Sequence, residues 1–307
     1  MNEYKEFELQ FEIENECLLD CLHCSSHVMR KSGKRSYSDE AMIEFISHFK
    51  GPIRVYFTGG EPLLYPHIIS LCKKIVLNQE NVSIGLYTTG NCQCKQPLSI
   101  EFAFELASSG ITECYFSIYD NAESLHDSFT GTPGSFKNTV LSAQNCIKVG
   151  ILPKAHIVLN RNNYNKIDEI IAFCAEMNFA EVRILRLAPS GSAIDNWGNI
   201  GIHLSEQNEL IESLVQRKNC FKIDLSFSGY PDVYPCRSSK NAIRCQAGTN
   251  LLYVTLSGDV YPCACTVQSS DKYKLGNLAD STKVFERLYH QYSYIYNAHC
   301  LNNYNKY

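Results

Sequence analysis

Cys17, Cys21 and Cys24 place three thiols within one short stretch of chain, separated by three and then two residues. Thiolates so spaced are ligands for iron–sulfur clusters and for zinc. A cubane has four irons, so three local cysteines leave one iron without a protein ligand. Such an open iron can chelate the amine and carboxylate of a small molecule while the reduced cluster passes it an electron. The alternative is a zinc site, whose common pattern uses two pairs of ligands in tetrahedral array.

A second motif, Thr58-Gly59-Gly60-Glu61-Pro62, follows an apolar run that reads as a strand. Its glycines allow close backbone approach to a ligand, and its carbonyls together with Glu61 can accept hydrogen bonds from an ammonium group. The two motifs together resemble the radical S-adenosylmethionine superfamily, with His23 in the place usually held by an aromatic residue before the third cysteine. The resemblance implies a partial six-unit (β/α) barrel over about residues 7 to 200. It also implies S-adenosylmethionine as cofactor, held by His23, Gly59, Gly60, Glu61 and Pro62, with Ser117 and Asn160 as further contacts. Ser117-Ile118-Tyr119-Asp120, His126-Asp127 and Gly134-Ser135-Phe136 resemble the peptide-modifying branch. Leu187 to Gly191 resembles the stretch that packs on adenine, but an arginine common there in that branch is replaced by Ser192 and Ala193.

Fifteen cysteines in 307 residues, with no secretion signal, point to metal ligation rather than a disulfide framework. Cys72, Cys146 and Cys174 fall on apolar helix faces and read as buried thiols. Near the C-terminus, Cys245, twelve residues, Gly258, four residues and Cys263 resembles the opening of the auxiliary-cluster modules called SPASM and twitch. The remaining pool is small. The resemblance therefore implies the shorter twitch form with one [4Fe–4S] cluster, ligated by Cys245, Cys263 and Cys300 plus Cys236 or Cys265, with structural zinc as the alternative. Together with the first cluster this makes two cubanes. Cys92 and Cys94 have no assigned role.

The elements that must position these residues alternate strand and helix. Phe7 to Ile13, Ile53 to Phe57, Val82 to Tyr87, Cys114 to Ile118, Ala155 to Leu159 and Val182 to Leu187 read as strands. Helices are expected from Pro66, after a Ser99 cap, from a cap near Ser135 to Gly150, and from a Ser205 cap to about Lys218. Repeated strand–helix units imply a parallel sheet, α/β in class, and periodicity alone leaves open a doubly wound sheet or a barrel. Both put ligands at the carboxyl ends of strands, where the motifs lie. A hairpin turned at Ser257-Gly258-Asp259 follows. Three regions are expected: a barrel over 1–200, a connecting helix and linker over 201–235, and an auxiliary-cluster module over 236–307.

Net charge of −4 with mixed signs disfavours nucleic acid or an anionic membrane as partner, and the chain has no apolar run of membrane-spanning length. A cytoplasmic protein is expected. The resemblance implies an enzyme that abstracts a hydrogen atom, with a ribosomally made peptide favoured as substrate and an external donor such as flavodoxin or ferredoxin supplying electrons. Strand one begins near Phe7, so an N-terminal peptide-recognition domain is not expected. One auxiliary cluster and a spare thiol favour Cα epimerisation over cross-linking, with Cys236 or Cys265 as hydrogen donor. A small-molecule radical dehydrogenase and a non-catalytic electron carrier are the alternatives, and the glycine motif argues against the carrier.

Overall fold

The computed structural model describes residues 6–26, 33–230, 247–267 and 270–290. Their organisation follows from alternation along the strands. Leu9, Phe11 and Ile13 of β1 (Phe7–Glu14), Val55 and Phe57 of β2 (Ile53–Gly59), and Ile84 and Leu86 of β3 (Val82–Thr88) are buried on one face. The same face continues through Cys114 and Phe116 of β4 (Ile111–Ser117), Ala155 and Ile157 of β5 (Leu152–Leu159), and Val182 and Ile184 of β6 (Glu181–Arg186). These residues form one core with the apolar sides of α1 (Asp39–Ser47), α2 (Ile68–Asn78), α3 (Ile100–Ser108), α5 (Ser135–Lys148) and α6 (Ile167–Glu176). The opposite face carries Gln10, Glu12, Thr58, Tyr87, Ser117, His156 and Arg183. A doubly wound sheet would need apolar residues on both faces. With one face apolar and the other polar, the sheet curls instead into an open barrel whose concave side is the polar one.

The six strands pair in parallel in chain order, which bears out the partial (β/α) barrel. Beyond β6 lies a further parallel strand, β7 (Asp224–Ser228), within the stretch read as helix and linker. On the other side, β8 (Leu251–Val254) pairs in parallel with β1, so Leu9 lies opposite Leu252 and Phe11 opposite Val254. β9 (Asp259–Tyr261) and the short β10 (Gly276–Asn277) then add antiparallel strands. The expected hairpin therefore exists, with Gly258 at φ 78° in its turn, and it extends the barrel sheet.

Helix starts differ from the sequence reading where a better cap was available. The helix expected from Pro66 begins at Ile68, after a single 3-10 turn over Pro62–Leu64. Ser99 caps α3 as expected. Ser135 does not cap α5; the Asp127 carboxylate takes the backbone N–H of Gly134 and Phe136 and the Ser135 hydroxyl. A charged acceptor on the preceding helix, α4 (Glu123–Thr130), outcompetes a local hydroxyl for the free amides. In α8 (Leu204–Gln216) the cap is His203, with Glu206 completing a capping box, rather than Ser205.

The hairpin is fastened to the barrel through Glu12, which is 1% exposed on the concave side of β1. Its carboxylate accepts from the Tyr253 hydroxyl at 2.6 Å and the Leu256 amide at 2.8 Å, while Tyr37 donates to the Glu12 carbonyl. Burial pushes its pKa up against these bonds. Tyr253→Phe leaves a buried carboxylate one donor short, so urea unfolding of the variant is expected to show a loss of about 1–3 kcal/mol.

Candidate active site

The cysteine loop leaves β1 at a register shift between Glu12 and Glu14 that sets Glu14 opposite Gly59. Such an irregularity redirects the chain at the end of a strand. The loop is then held against α4: the Asp20 amide donates to the Thr130 carbonyl at 2.9 Å and the Leu22 amide to that of Phe129 at 3.0 Å. Gly131, at φ 64°, ends that helix where a Cβ would sit 2.9 Å from the Asp20 carbonyl oxygen. Cys21 is buried in an apolar collar with Leu19, Tyr119, Phe129, Leu187 and Ala193, against which Cys17 and Cys24 pack. The Leu187 to Gly191 loop closes the collar. The Ser192 amide, opening α7 (Ser192–Ile200), donates to the Cys24 carbonyl at 3.0 Å, and a Cβ on Gly191 would lie 2.3 Å from that oxygen.

The glycine turn is stitched to the same loop. Gly60 and Glu61 donate their amides to the carbonyls of Glu14 and Glu16, both at 2.7 Å. A Cβ on Gly59 would fall 2.3 Å from the Glu14 oxygen, and one on Gly60 would fall 2.1 Å from that of Glu16. Only glycine allows the approach, and Gly59 also has φ 125°. The turn therefore lies directly beside Cys17.

Glu61 corrects part of the sequence reading. Its carboxylate is fully buried and takes four donors: Leu63 N at 3.1 Å and Thr88 Oγ1 at 2.6 Å on one oxygen, Thr89 N at 2.7 Å and Thr89 Oγ1 at 2.6 Å on the other. A carboxylate has about four acceptor positions, so its capacity is used. Burial pushes its pKa up, against four bonds that favour the charged form. Glu61 thus anchors the turn to the end of β3, and an ammonium group beside the turn is left to the backbone carbonyls. Thr88 and Thr89, which the sequence reading did not single out, are its partners.

Asn160 is fully buried; its amide donates to the Val158 carbonyl at 3.0 Å and its side-chain oxygen accepts from Asn162 N at 2.9 Å, closing the turn after β5. Ser117 remains on the concave side, with its hydroxyl in hydrogen-bond contact with that of Tyr119. Tyr119 in turn contacts the Cys21 thiol. It lay in a quoted motif, but nothing in the sequence placed its hydroxyl at the loop. The His23 ring lies 5.1 Å from Tyr119 and stacks at 5.3 Å on Phe129. Burial lowers its pKa to about 4, so the ring is neutral, and its buried Nδ1 has no partner among the described residues.

In the C-terminal segment, Cys263 precedes a 3-10 turn over Ala264–Thr266 and Cys265 lies within it, so the two thiols are neighbours. The Cys263 contact and the nearby Arg186 guanidinium lower the Cys265 pKa to about 7. Cys236, Cys245 and Cys300 lie outside the described residues. Cys72, Cys146 and Cys174 are buried thiols, as read. Cys94 is exposed and Cys92 half-buried in a two-residue antiparallel ladder. A cavity of about 860 Å³ lined by Phe179, Glu181, Lys218 and Asp224 lies at the amino ends of β6 and β7 and contains none of the motif residues.

The donor chemistry suits a cluster and a sulfonium cofactor. Three thiols share one loop, two glycines let the turn pack directly against that loop, and a buried imidazole nitrogen has no partner among the described residues. Each of the three thiols can take a separate iron of a cubane, which leaves the fourth iron open.

Comparison with known proteins gives the same reading. The family model described as "Radical SAM superfamily" matches residues 12–174, and an iron–sulfur cluster-binding domain, SPASM, matches residues 245–296. These domains bind S-adenosylmethionine with a [4Fe–4S] cluster and auxiliary iron–sulfur clusters, respectively. The chain is 26% identical over 277 residues to mycofactocin maturase MftC of Mycolicibacterium smegmatis, covering 88% of this chain and 67% of the relative. It is 22% identical to the AdoMet-dependent heme synthase of Oleidesulfovibrio alaskensis, covering 83% and 69%. Its fold is similar to that of anSMEcpe with bound AdoMet and Cp18Cys peptide, at TM-score 0.68 and 18% identity over 93% of this chain and 82% of the other. No helix among the described residues is long and apolar enough to cross a membrane.

The Glu61 anchor makes a defined prediction. Glu61→Gln sets an amide against the N–H and hydroxyl of Thr89, so a loss of about 1–3 kcal/mol is expected, read as a lowered midpoint in thermal unfolding of the apo-protein. A variant as stable as the parent would contradict the buried four-donor arrangement.

Proposed function

Because this chain belongs to the radical SAM superfamily, we propose that Cys17, Cys21 and Cys24 hold the cluster of an enzyme that abstracts a hydrogen atom from a peptide. The observation that carries this is the pair of 2.7 Å amide-to-carbonyl bonds joining the cysteine loop to the Gly59–Pro62 turn. When bound, the reduced cluster supplies the electron that splits S-adenosylmethionine into methionine and a 5′-deoxyadenosyl radical. The chain's own residues bind and orient. Carbonyls of the glycine turn receive the ammonium end of the cofactor, with Gly59 and Gly60 letting the turn sit against the cysteine loop and Pro62 fixing the exit. His23, neutral and half-buried, offers a ring face and its buried Nδ1, and Ser117 a hydroxyl on the concave side. The apolar collar of Leu19, Phe129 and Leu187 excludes water from the radical's surroundings.

In the C-terminal domain, one auxiliary [4Fe–4S] cluster is assigned to Cys245, Cys263, Cys265 and Cys300. Cys265 is taken over Cys236 as the fourth ligand because it lies two residues from Cys263, and Cys263 and Arg186 favour its thiolate. That leaves Cys236 as the spare thiol. A peptide substrate is favoured by the resemblance around Ser117 to Phe136 and by the similarity to a maturase. Within peptide chemistry, a spare thiol suits epimerisation: the α-hydrogen leaves on one face and the thiol returns one on the other. An external one-electron donor such as flavodoxin or ferredoxin completes the cycle.

Three measurements test these assignments. Anaerobically reconstituted enzyme with reductant is expected to form 5′-deoxyadenosine, and the triple variant Cys17→Ala, Cys21→Ala, Cys24→Ala to form none; undiminished cleavage would sink the assignment. Iron and sulfide should each approach about eight per chain, falling by half in that variant. Product made in deuterium oxide should gain one deuterium at a Cα. Cys236→Ala should keep both clusters and 5′-deoxyadenosine formation while losing inversion, and Cys265→Ala should lose the auxiliary cluster. A product two mass units lighter without solvent label would indicate cross-linking instead.

A further inference from the structure

Tyr119 carries a phenol into the apolar collar around the cysteine loop, where it is buried with Cys21, Leu19, Phe129, Leu187 and Ala193. Its ring lies 4.6 Å from that of Phe129, whose carbonyl accepts the Leu22 amide of the cysteine loop at 3.0 Å. The backbone is pinned on both sides of the residue. The Tyr119 amide donates to His126 Nδ1 at 3.3 Å, and the Asn163 side chain donates to the Tyr119 carbonyl at 3.2 Å. The next residue, Asp120, is buried and paired with Lys166. The ring is thus held against the loop from several directions.

A phenylalanine would fill the same space, and a hydroxyl buried in an apolar collar costs free energy unless it is bonded. The Tyr119 hydroxyl is bonded twice, to the Cys21 thiol and to the Ser117 hydroxyl. Once Cys21 holds iron, its sulfur carries no proton and can only accept. The phenol keeps its proton at neutral pH, so Tyr119 is the donor in that bond. Its oxygen then accepts from Ser117, which sets the polarity of the whole chain: Ser117 O–H to Tyr119, and Tyr119 O–H to the Cys21 sulfur. Having committed its proton, Ser117 turns only lone pairs to the concave side. It therefore meets a donor of the cofactor, an ammonium or a ribose hydroxyl, rather than the carboxylate. A hydrogen bond to a ligating sulfur draws electron density from a cluster and favours its reduced form.

We propose that Tyr119 is a positioning residue that raises the reduction potential of the first cluster through its O–H···S bond to Cys21, and that Ser117 couples this bond to cofactor binding. A cofactor donor on the Ser117 oxygen polarises the chain and strengthens each bond along it. The cluster is then easier to reduce when the cofactor is in place, so electron arrival is matched to the molecule that consumes the electron. The inference rests on the assignment of Cys17, Cys21 and Cys24 to a cluster and is independent of the peptide reading.

The test is a redox titration of the anaerobically reconstituted holoenzyme, followed by electron paramagnetic resonance, without and with saturating S-adenosylmethionine. The first cluster is the signal that changes on adding the cofactor and is missing from the triple variant Cys17→Ala, Cys21→Ala, Cys24→Ala. Tyr119→Phe is expected to keep the parent's iron content while the ratio of reduced to oxidised first cluster falls about tenfold at a given potential, the scale of one hydrogen bond to a charged group. That is about 59 mV for a one-electron couple. Cofactor should raise the ratio in the parent and raise it less in Ser117→Ala. Adding Ser117→Ala to Tyr119→Phe should change nothing further, because Ser117 acts through the phenol. Electron–nuclear double resonance of the reduced parent should show a cluster-coupled proton that exchanges in deuterium oxide and is missing from Tyr119→Phe. An unchanged ratio in Tyr119→Phe at full iron content overturns the proposal, as do additive effects of the two substitutions. If Tyr119→Phe takes up no iron, the parent and Ser117→Ala decide: lack of the exchangeable proton, or a parent-like rise with cofactor, overturns it. A parent with no cofactor-responsive signal overturns the cluster assignment instead.

Discussion

Two backbone hydrogen bonds, from Gly60 to Glu14 and from Glu61 to Glu16, set the arrangement on which the site depends. They force the cysteine loop and the glycine turn to a separation that leaves no room for a Cβ at Gly59 or Gly60. From this constraint the rest follows outward. The carboxylate of Glu61 locks the turn to β3 through Thr88 and Thr89. Thr139 of α5 donates to the Thr89 carbonyl at 2.7 Å, so a helix on the convex side is tied into the same framework. A binding loop built on these anchors is rigid before any ligand arrives, which lowers the ordering cost of binding.

The division between faces of the sheet is equally consequential. An apolar convex face packs on helices, and a concave face rich in hydroxyls, carboxylates and cations stays polar. A radical reaction needs a dry centre, and the apolar collar around Cys21 supplies one at the strand ends. The polar groups lie lower, bonded to one another through Glu113, Glu181, Lys154 and Arg183, with the buried His156 Nε2 left without a partner among the described residues. Ion pairs and hydrogen bonds linked in this way stiffen one another. The network fixes the barrel floor without placing water beside the loop.

The C-terminal segment is not an independent appendage in its strand pairing. β8 continues the barrel sheet beside β1, and Glu12 joins the two through Tyr253 and Leu256. Cys263 and Cys265 are consequently carried on the same sheet as the first cysteine loop. The pairing fixes the geometry between the two cysteine groups more firmly than a linker could.

The sequence by itself determined the strands and the spacing of the two cysteine groups, because these are encoded locally, and the cofactor followed from the family resemblance those motifs carry. Strand alternation has period two, cysteine spacing within a loop needs no distant partner, and a Gly-Gly-Glu-Pro turn reports its own backbone demands. Ser99 was legible as a cap for the same reason. What only tertiary structure decided were the partners brought from far along the chain. Asp127 displaced Ser135 as a cap, Thr88 and Thr89 consumed the acceptor capacity of Glu61, and Asn160 closed the turn after its own strand. Tyr119 met Cys21, and β8 joined β1. A side chain's bonding capacity is finite, and which groups fill it depends on packing that no local pattern contains.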